Sequence, residues 1–265
     1  MDIKILVAAH KEYWMHPDGV YLPLQAGSAG KPSIGYRRDD SGENISCRND
    51  GYCELTALYW AWKNLPCEYI GLCHYRRYFG KQFLHTGLSK RKRIFGRAHY
   101  EELLRDYDVL LPKKRNYFIE TVRSQYEHAH YARDLSLAEE VVARLQPDYN
   151  EAFTRVMASR RLHIGNIFVM KREHFDNYCA WIFPILDEIE KNVDTTGYSK
   201  QQARVFGYLG ERLFNVWLAK QQLKTKELDV VFLERENWIK KGVSFLLRKY
   251  TAGYSRGRSF FVNFL

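Results

Sequence analysis

Four short apolar runs separated by segments of helical period limit what this chain can fold into. Ile3 to Ala9, Tyr69 to Cys73, Asp108 to Pro112 and His163 to Met170 each read as a strand. The first is continuously apolar, as a strand buried on both faces must be. Between them, Leu55, Leu58, Tyr59 and Trp62 fall on one stripe of a helix that starts near Asp50-Gly51 and ends at Asn64-Leu65-Pro66. Glu139 to Arg160 holds two helices broken at Pro147. Phe175 to Ile189 forms a fourth, kinked by Pro184, and Gln201 to Gln222 a fifth. Lys81 to His99 is basic and aperiodic, which predicts a mobile loop, and Tyr117 to Asp134 shows no decisive period. Strands alternating with helices predict an α/β fold: a mostly parallel sheet with helices on both faces.

The 265 residues suit one sheet-based domain with an extension. A net charge of +10 favours a polyanionic partner, such as nucleic acid, an acidic membrane face or a phosphorylated ligand. Five cysteines without paired short spacing predict free thiols in a reducing compartment. The first residues lack the pattern of a signal peptide, and no run reaches the length of a membrane span, so a cytoplasmic protein is expected. After Lys240 the chain has no acid, and its cations interleave with Trp, Phe, Tyr and Leu. That pattern suits either a segment lying on an anionic membrane or a basic helix packed on its own domain.

Dinucleotide-binding, P-loop, zinc-protease and serine-hydrolase motifs are all absent from the sequence. One Asp-x-Asp, Asp106-Tyr107-Asp108, precedes its strand and should lie at the strand's amino end, away from the crevice where α/β enzymes bind ligands. At the carboxyl end of another strand stands His74-Tyr75-Arg76-Arg77. Two guanidiniums there would match phosphate oxygens, or would form a structural pair bonded to acidic loops. On the last long helix Arg204, Tyr208, Glu211 and Asn215 share a stripe opposite the apolar face. Such a stripe is either solvated or supplies a positioned general base. His163 reads as a core histidine.

Six blocks carry a resemblance: "DDSGENIS", "YCELTALYWAWKN", "YIGLCHYRRYF", "YEHAHYARDL", "LHIGNIFVMKREHFDNYCAWIF" and "VFGYLGERLFNVWL". In order and spacing they resemble a bacterial family of capsular and exopolysaccharide glycosyltransferases with galactofuranosyltransferase-like members. The resemblance implies a GT-A-like domain over residues 1–235, followed by a basic aromatic segment over 236–265. It implies a UDP-sugar donor, with galactose as furanose or pyranose. The acceptor would be a growing, lipid-linked surface polysaccharide, and the place of action the inner face of the plasma membrane.

On this reading Glu211 is the base of an inverting transfer, and His74, Arg76, Arg77 and Asn166 hold the donor. His10, Asp40, Asn44 and Ser46 are weaker choices for the nucleotide. His128, His130, Tyr208 and Arg212 are weak choices for sugar or acceptor. Mg²⁺ or Mn²⁺ stays open as a cofactor, with His-Tyr-Arg in place of Asp-x-Asp weighing against it, and no metal ligand is assigned. Two alternatives compete: a nucleic-acid-binding protein without enzymatic activity, and a metal-dependent phosphodiester hydrolase built on His74, His128 and His130.

Overall fold

The computed structural model describes residues 1–82 and 87–234, so the expected basic segment at 236–265 lies outside the described residues. In chain order the strands are β1 (Ile3–Ala9), β2 (Tyr21–Gln25), β3 (Arg37–Arg38), β4 (Tyr69–His74), β5 (Arg77–Phe79), β6 (Val109–Pro112), β7 (Arg115–Asn116), β8 (Arg161–Leu162), β9 (Phe168–Lys171), β10 (Thr225–Leu228) and β11 (Val230–Phe232). The helices are α1 (Asn49–Tyr52), α2 (Leu55–Asn64), α3 (Arg97–Asp106), α4 (Val122–Ala129), α5 (Ala132–Leu145), α6 (Asn150–Ala158), α7 (Arg172–Asn192) and α8 (Val205–Lys220).

The central sheet runs β10-β6-β9-β4-β1-β2-β3, and along this path only β9 opposes the rest. This is the mostly parallel α/β sheet the sequence predicted. β5 folds back from β4 and pairs with β11, while β7 and β8 form a separate two-stranded ribbon.

The period of two along β1 divides the protein into two cores. Leu6 and Ala8 point into a large core shared with α2 and α4 to α8, with Trp60, Tyr178 and Trp217 at its centre. Ile3, Ile5, Val7 and Ala9 point into a smaller core built from Tyr21, Tyr75, Tyr78, Phe79 and, on α3, Tyr100 and Leu104. The second face is therefore covered largely by aromatic side chains from strands and loops. Both faces are dry, as the apolar run required.

Three local expectations change. The stretch from Gly87 to His99 is anchored rather than free, because Ile94 and Phe95 are buried and Ile94 bridges Gly80. The helix expected from Asp50 is broken at Cys53, whose φ of 54° ends α1 before α2 begins. Asn49 holds the break by donating to Cys53 O at 2.7 Å and to Thr56 Oγ1 at 3.1 Å. The strand expected from His163 begins only at Phe168, because Gly165 (φ 89°) and Asn166 (φ 47°) take left-handed backbone. Asn is one of the few side-chain-bearing residues that tolerates this conformation. The break expected at Pro147 separates α5 from α6, and α7 runs through Pro184. All five cysteines are free, with Cys53, Cys73 and Cys179 buried. Among the described residues no helix is long and apolar enough to cross a membrane.

Gly71 lies at the middle of the sheet. A Cβ there would meet the Phe168 carbonyl oxygen and Val169 Cγ2 at 2.8 Å and Ile5 Cγ1 at 3.2 Å. The first obstacle is backbone and cannot retreat. Gly71→Ala is expected to destabilise the protein by about 1–3 kcal/mol, read as a lower urea midpoint. A parent-like midpoint would mean that β4 and β9 separate freely.

Candidate active site

The carboxyl ends of β1 and β4 carry His10 and His74, whose rings lie 6.3 Å apart. This is the sheet edge at which open α/β folds bind ligands. His74 Nδ1 accepts the Arg76 N–H at 3.4 Å. Burial, followed by the charges of Arg77, Arg76, His10 and Arg204, lowers its pKa to about 2. The ring is thus a neutral donor through Nε2, and the positive charge of this turn belongs to the two arginines. His10 is lowered too, by partial desolvation and then by Arg76, Lys11, Arg204 and Lys31.

The two arginines differ. Arg76 Nη1 pairs with Glu234 at 2.7 Å, its guanidinium lies 5.1 Å from the Tyr75 ring, and its buried Nε has no hydrogen-bond partner among the described residues. Arg77 has no carboxylate in ion-pair range among the described residues. Its Nη1 lies 3.4 Å from where a Gly165 Cβ would stand, so it faces the turn before β9.

That turn meets α8. Gly207 and Gly210 let α8 approach closely: a Cβ on either would come within 2.9 Å of Cys53 Sγ or Leu55 Cδ1. The same approach sets Arg204, Tyr208 and Glu211 beside Cys53-Glu54. Arg204 Nε donates to Cys53 Sγ at 3.0 Å, and its charge reaches His10 and His74. Glu211 Oε1 accepts the Gly165 N–H at 2.8 Å, and Glu211 Oε2 pairs with Arg212 at 3.1 Å. Asn166 Nδ2 donates to Glu54 Oε1 at 2.9 Å. Consecutive residues of one turn therefore hold two carboxylates. Burial raises the pKa of Glu211 and the neighbouring charge of Glu54 adds to the rise, while Arg212, the Gly165 amide and Arg77 oppose it. A carboxylate in that state is a stronger base than one in water.

Around this centre the other expected residues divide. His130 stacks on Tyr208 at 4.0 Å and bonds Gln202, next to Glu211's helix. Arg212 is buried, and besides Glu211 it bonds Tyr208 O and Gln125. His128 is turned away and pairs with the buried Glu120. Asp40 is bound to Arg38, Asn44 closes its own turn with Gly42 and Ser46, and Ser46 Oγ donates to the buried Asp39. Asp39 also accepts from Gly27 N, Ser28 N and Oγ, and Thr56 Oγ1, which ties the loop after β2 to α2. Asp108 lies at the amino end of β6, held by Lys171 and the Lys224 amide. His163 is a core residue whose Nδ1 lies 2.6 Å from Pro112 O. Glu54, Arg204, Lys11 and Lys31 lie at the site beyond the residues the sequence assigns to it. Arg204's place on the stripe of Glu211 was the available signal, whereas Glu54 looked like an ordinary helix start.

The donor set at His74-Tyr75-Arg76 does not fit Mg²⁺ or Mn²⁺, which take oxygen ligands and would be repelled by the guanidiniums. Among the described residues no cluster of three or more His, Cys, Asp or Glu is disposed to hold a metal. The three histidines of the hydrolase alternative fall in separate surroundings.

A raised carboxyl pKa has a defined effect on stability. The unfolded chain releases this proton near the ordinary value of 4.5 and the folded protein only at higher pH. Ionisation therefore favours unfolding, and stability falls as pH rises from 4.5 through the raised value. Glu211→Gln cannot ionise and should escape that loss. Its melting temperature relative to the parent is expected to increase as pH rises from 4 to 7. A constant difference would contradict the raised pKa.

The sequence matches, over residues 4–222, the family described as Domain of unknown function (DUF4422). No curated protein matches it. The fold is similar to the apo structure of WbbM, a bifunctional glycosyltransferase, with a TM-score of 0.81, 30% identity and 89% of this chain covered. This chain spans about half of that one, 46% of its length. The architecture is thus the GT-A-like α/β fold implied by the sequence blocks, and the chain belongs to the DUF4422 family.

Proposed function

We propose that this protein transfers a hexose, galactose in furanose or pyranose form, from a UDP-sugar to a growing, lipid-linked bacterial surface polysaccharide. One observation carries the reading: at the Gly165 turn a carboxylate of raised pKa, Glu211, lies opposite Arg77, a guanidinium without a carboxylate partner among the described residues. A base beside cations able to hold phosphate is what sugar transfer from a nucleoside diphosphate requires. The likeness to WbbM supports the same reaction class.

In this reading the diphosphate lies between Arg77 and Arg204, with Arg76, neutral His74 and His10 at its edge. The nucleoside extends toward the loops that carry Asp40, Asn44 and Ser46. Asn166 borders the donor sugar, and Tyr208, His130 and Arg212 lie on the acceptor side. Glu211 takes the proton of the acceptor hydroxyl as its oxygen attacks the anomeric carbon. The bond from that carbon to the diphosphate oxygen breaks, and its electron pair leaves on UDP, neutralised by the guanidiniums. Attack opposite the leaving group inverts the anomeric centre. The cations replace a divalent ion in this scheme, and no step requires one. The reaction is assigned to the cytoplasmic face of the plasma membrane, where such acceptors lie.

Two measurements test this reading. Arg77→Ala and Arg204→Ala should each weaken UDP binding about tenfold or more, since a charge-assisted bond to phosphate contributes roughly 1.5–3 kcal/mol. Arg76→Ala should cost less, because Arg76 is already paired, and EDTA should change none of these affinities. Parent-like binding by both Arg77→Ala and Arg204→Ala would remove the diphosphate from this edge. Separately, Glu211→Gln should lower kcat roughly 10²-fold or more while leaving UDP affinity in place. Full turnover in that variant would end Glu211's role as base.

A further inference from the structure

Phe118 is the most exposed large apolar side chain among the described residues, at 70%, and Ile119 beside it is 45% exposed. The pair caps the turn between β7 and α4 and is held outward by the backbone. Phe118 has φ 56°, a conformation a bulky side chain rarely takes. Its N–H donates to Asn116 Oδ1 at 2.8 Å, its carbonyl accepts from Arg160 Nη1 at 3.1 Å, and the Ile119 N–H donates to Tyr117 O at 2.6 Å. An apolar tip kept in an unfavourable backbone, when Tyr117 next to it is buried, suggests that its exposure has a use.

The surroundings name the partner. Lys113, Lys114 and Arg115 lead into the tip, and Arg161 on the paired strand β8, with Arg160 just before it, flanks it. Of the acids nearby, Asp229 binds Lys113 at 2.8 Å, Glu120 is buried against His128, and Glu227 lies 3.8 Å from His163 Nε2. Two apolar residues are far too small for a stable protein interface, which needs roughly 800 Å² per partner. They suit a lipid boundary, where an apolar tip enters and cations meet the headgroups. We propose that the Phe118–Ile119 tip, collared by Lys113, Lys114, Arg115, Arg160 and Arg161, docks this protein on an anionic lipid bilayer. Tyr117, buried beside the tip, lies within electrostatic reach of Arg212 and Glu211, so the tip and the candidate base belong to one region of the fold. Docking there would bring that region to the membrane. That consequence rests on the glycosyl-transfer reading, whereas the docking itself does not.

The test uses the full chain and vesicles of phosphatidylcholine with or without phosphatidylglycerol. The parent should sediment with the anionic vesicles and only weakly with neutral ones. Phe118→Asp combined with Ile119→Asp should reduce anionic partitioning by about tenfold or more, as loss of two apolar insertions implies. Lys113→Glu with Lys114→Glu should reduce it as well. Phe118→Ser provides a milder variant should the double one fold poorly, and a parent-like melting temperature and UDP affinity establish that fold and nucleotide site are intact. A parent that ignores anionic vesicles, or tip variants that bind them like the parent, would overturn the proposal. Failure of the transferase reading would appear instead in UDP binding and turnover.

Discussion

The bond from the Gly165 amide to Glu211 is the contact on which the rest of the site depends. It joins the turn entering β9 to the middle of α8 at 2.8 Å. The next residue, Asn166, binds Glu54 at the start of α2. Two residues of irregular backbone thus connect the sheet edge to two helices and fix the spacing of two carboxylates. Both residues have positive φ, so the geometry requires a glycine and a residue as tolerant as asparagine. Gly207 and Gly210 play the complementary part on α8, since side chains there would push Glu211 and Arg204 away from α1 and α2.

Charge is separated across this crevice. Glu54 and Glu211 lie on the helix side, while Arg76 and Arg77 occupy the turn after β4 and Arg204 faces it from α8. Burial, and after it the charges of the three guanidiniums and His10, keep the His74 ring neutral. It can donate one hydrogen bond without adding to the charge. Arg212 moderates Glu211 without removing its raised pKa. A buried carboxylate and a group of guanidiniums thus face one another across the Gly165 turn.

The supporting structure is uneven for a related reason. The large core holds α2 and α4 to α8 together, and these helices carry the carboxylates. The small core is an assembly of tyrosines and phenylalanines behind β4 and β5, and it holds the arginine turn. The buried Asp39 ties the loop after β2 to α2, using five donors so that a buried charge is fully satisfied.

The sequence by itself determined the alternation of strands and helices, the burial of β1 on both faces, and the placing of His74, Arg76 and Arg77 at a strand's carboxyl end. It also placed Glu211 on the polar stripe of a long helix. These are local properties: apolar period sets which face is buried, and chain direction sets which end of a strand a residue follows. Tertiary structure decided the rest. The expected strand at His163 became a turn because Gly165 and Asn166 must adopt left-handed backbone to reach Glu211 and Glu54, partners 46 and 112 residues away. Glu54 and Arg204 joined the site only through the close approach of α8 to Cys53, and His128 left it because Glu120 was its nearer partner. No local pattern encodes such meetings, because their energy comes from packing elements that are distant in sequence.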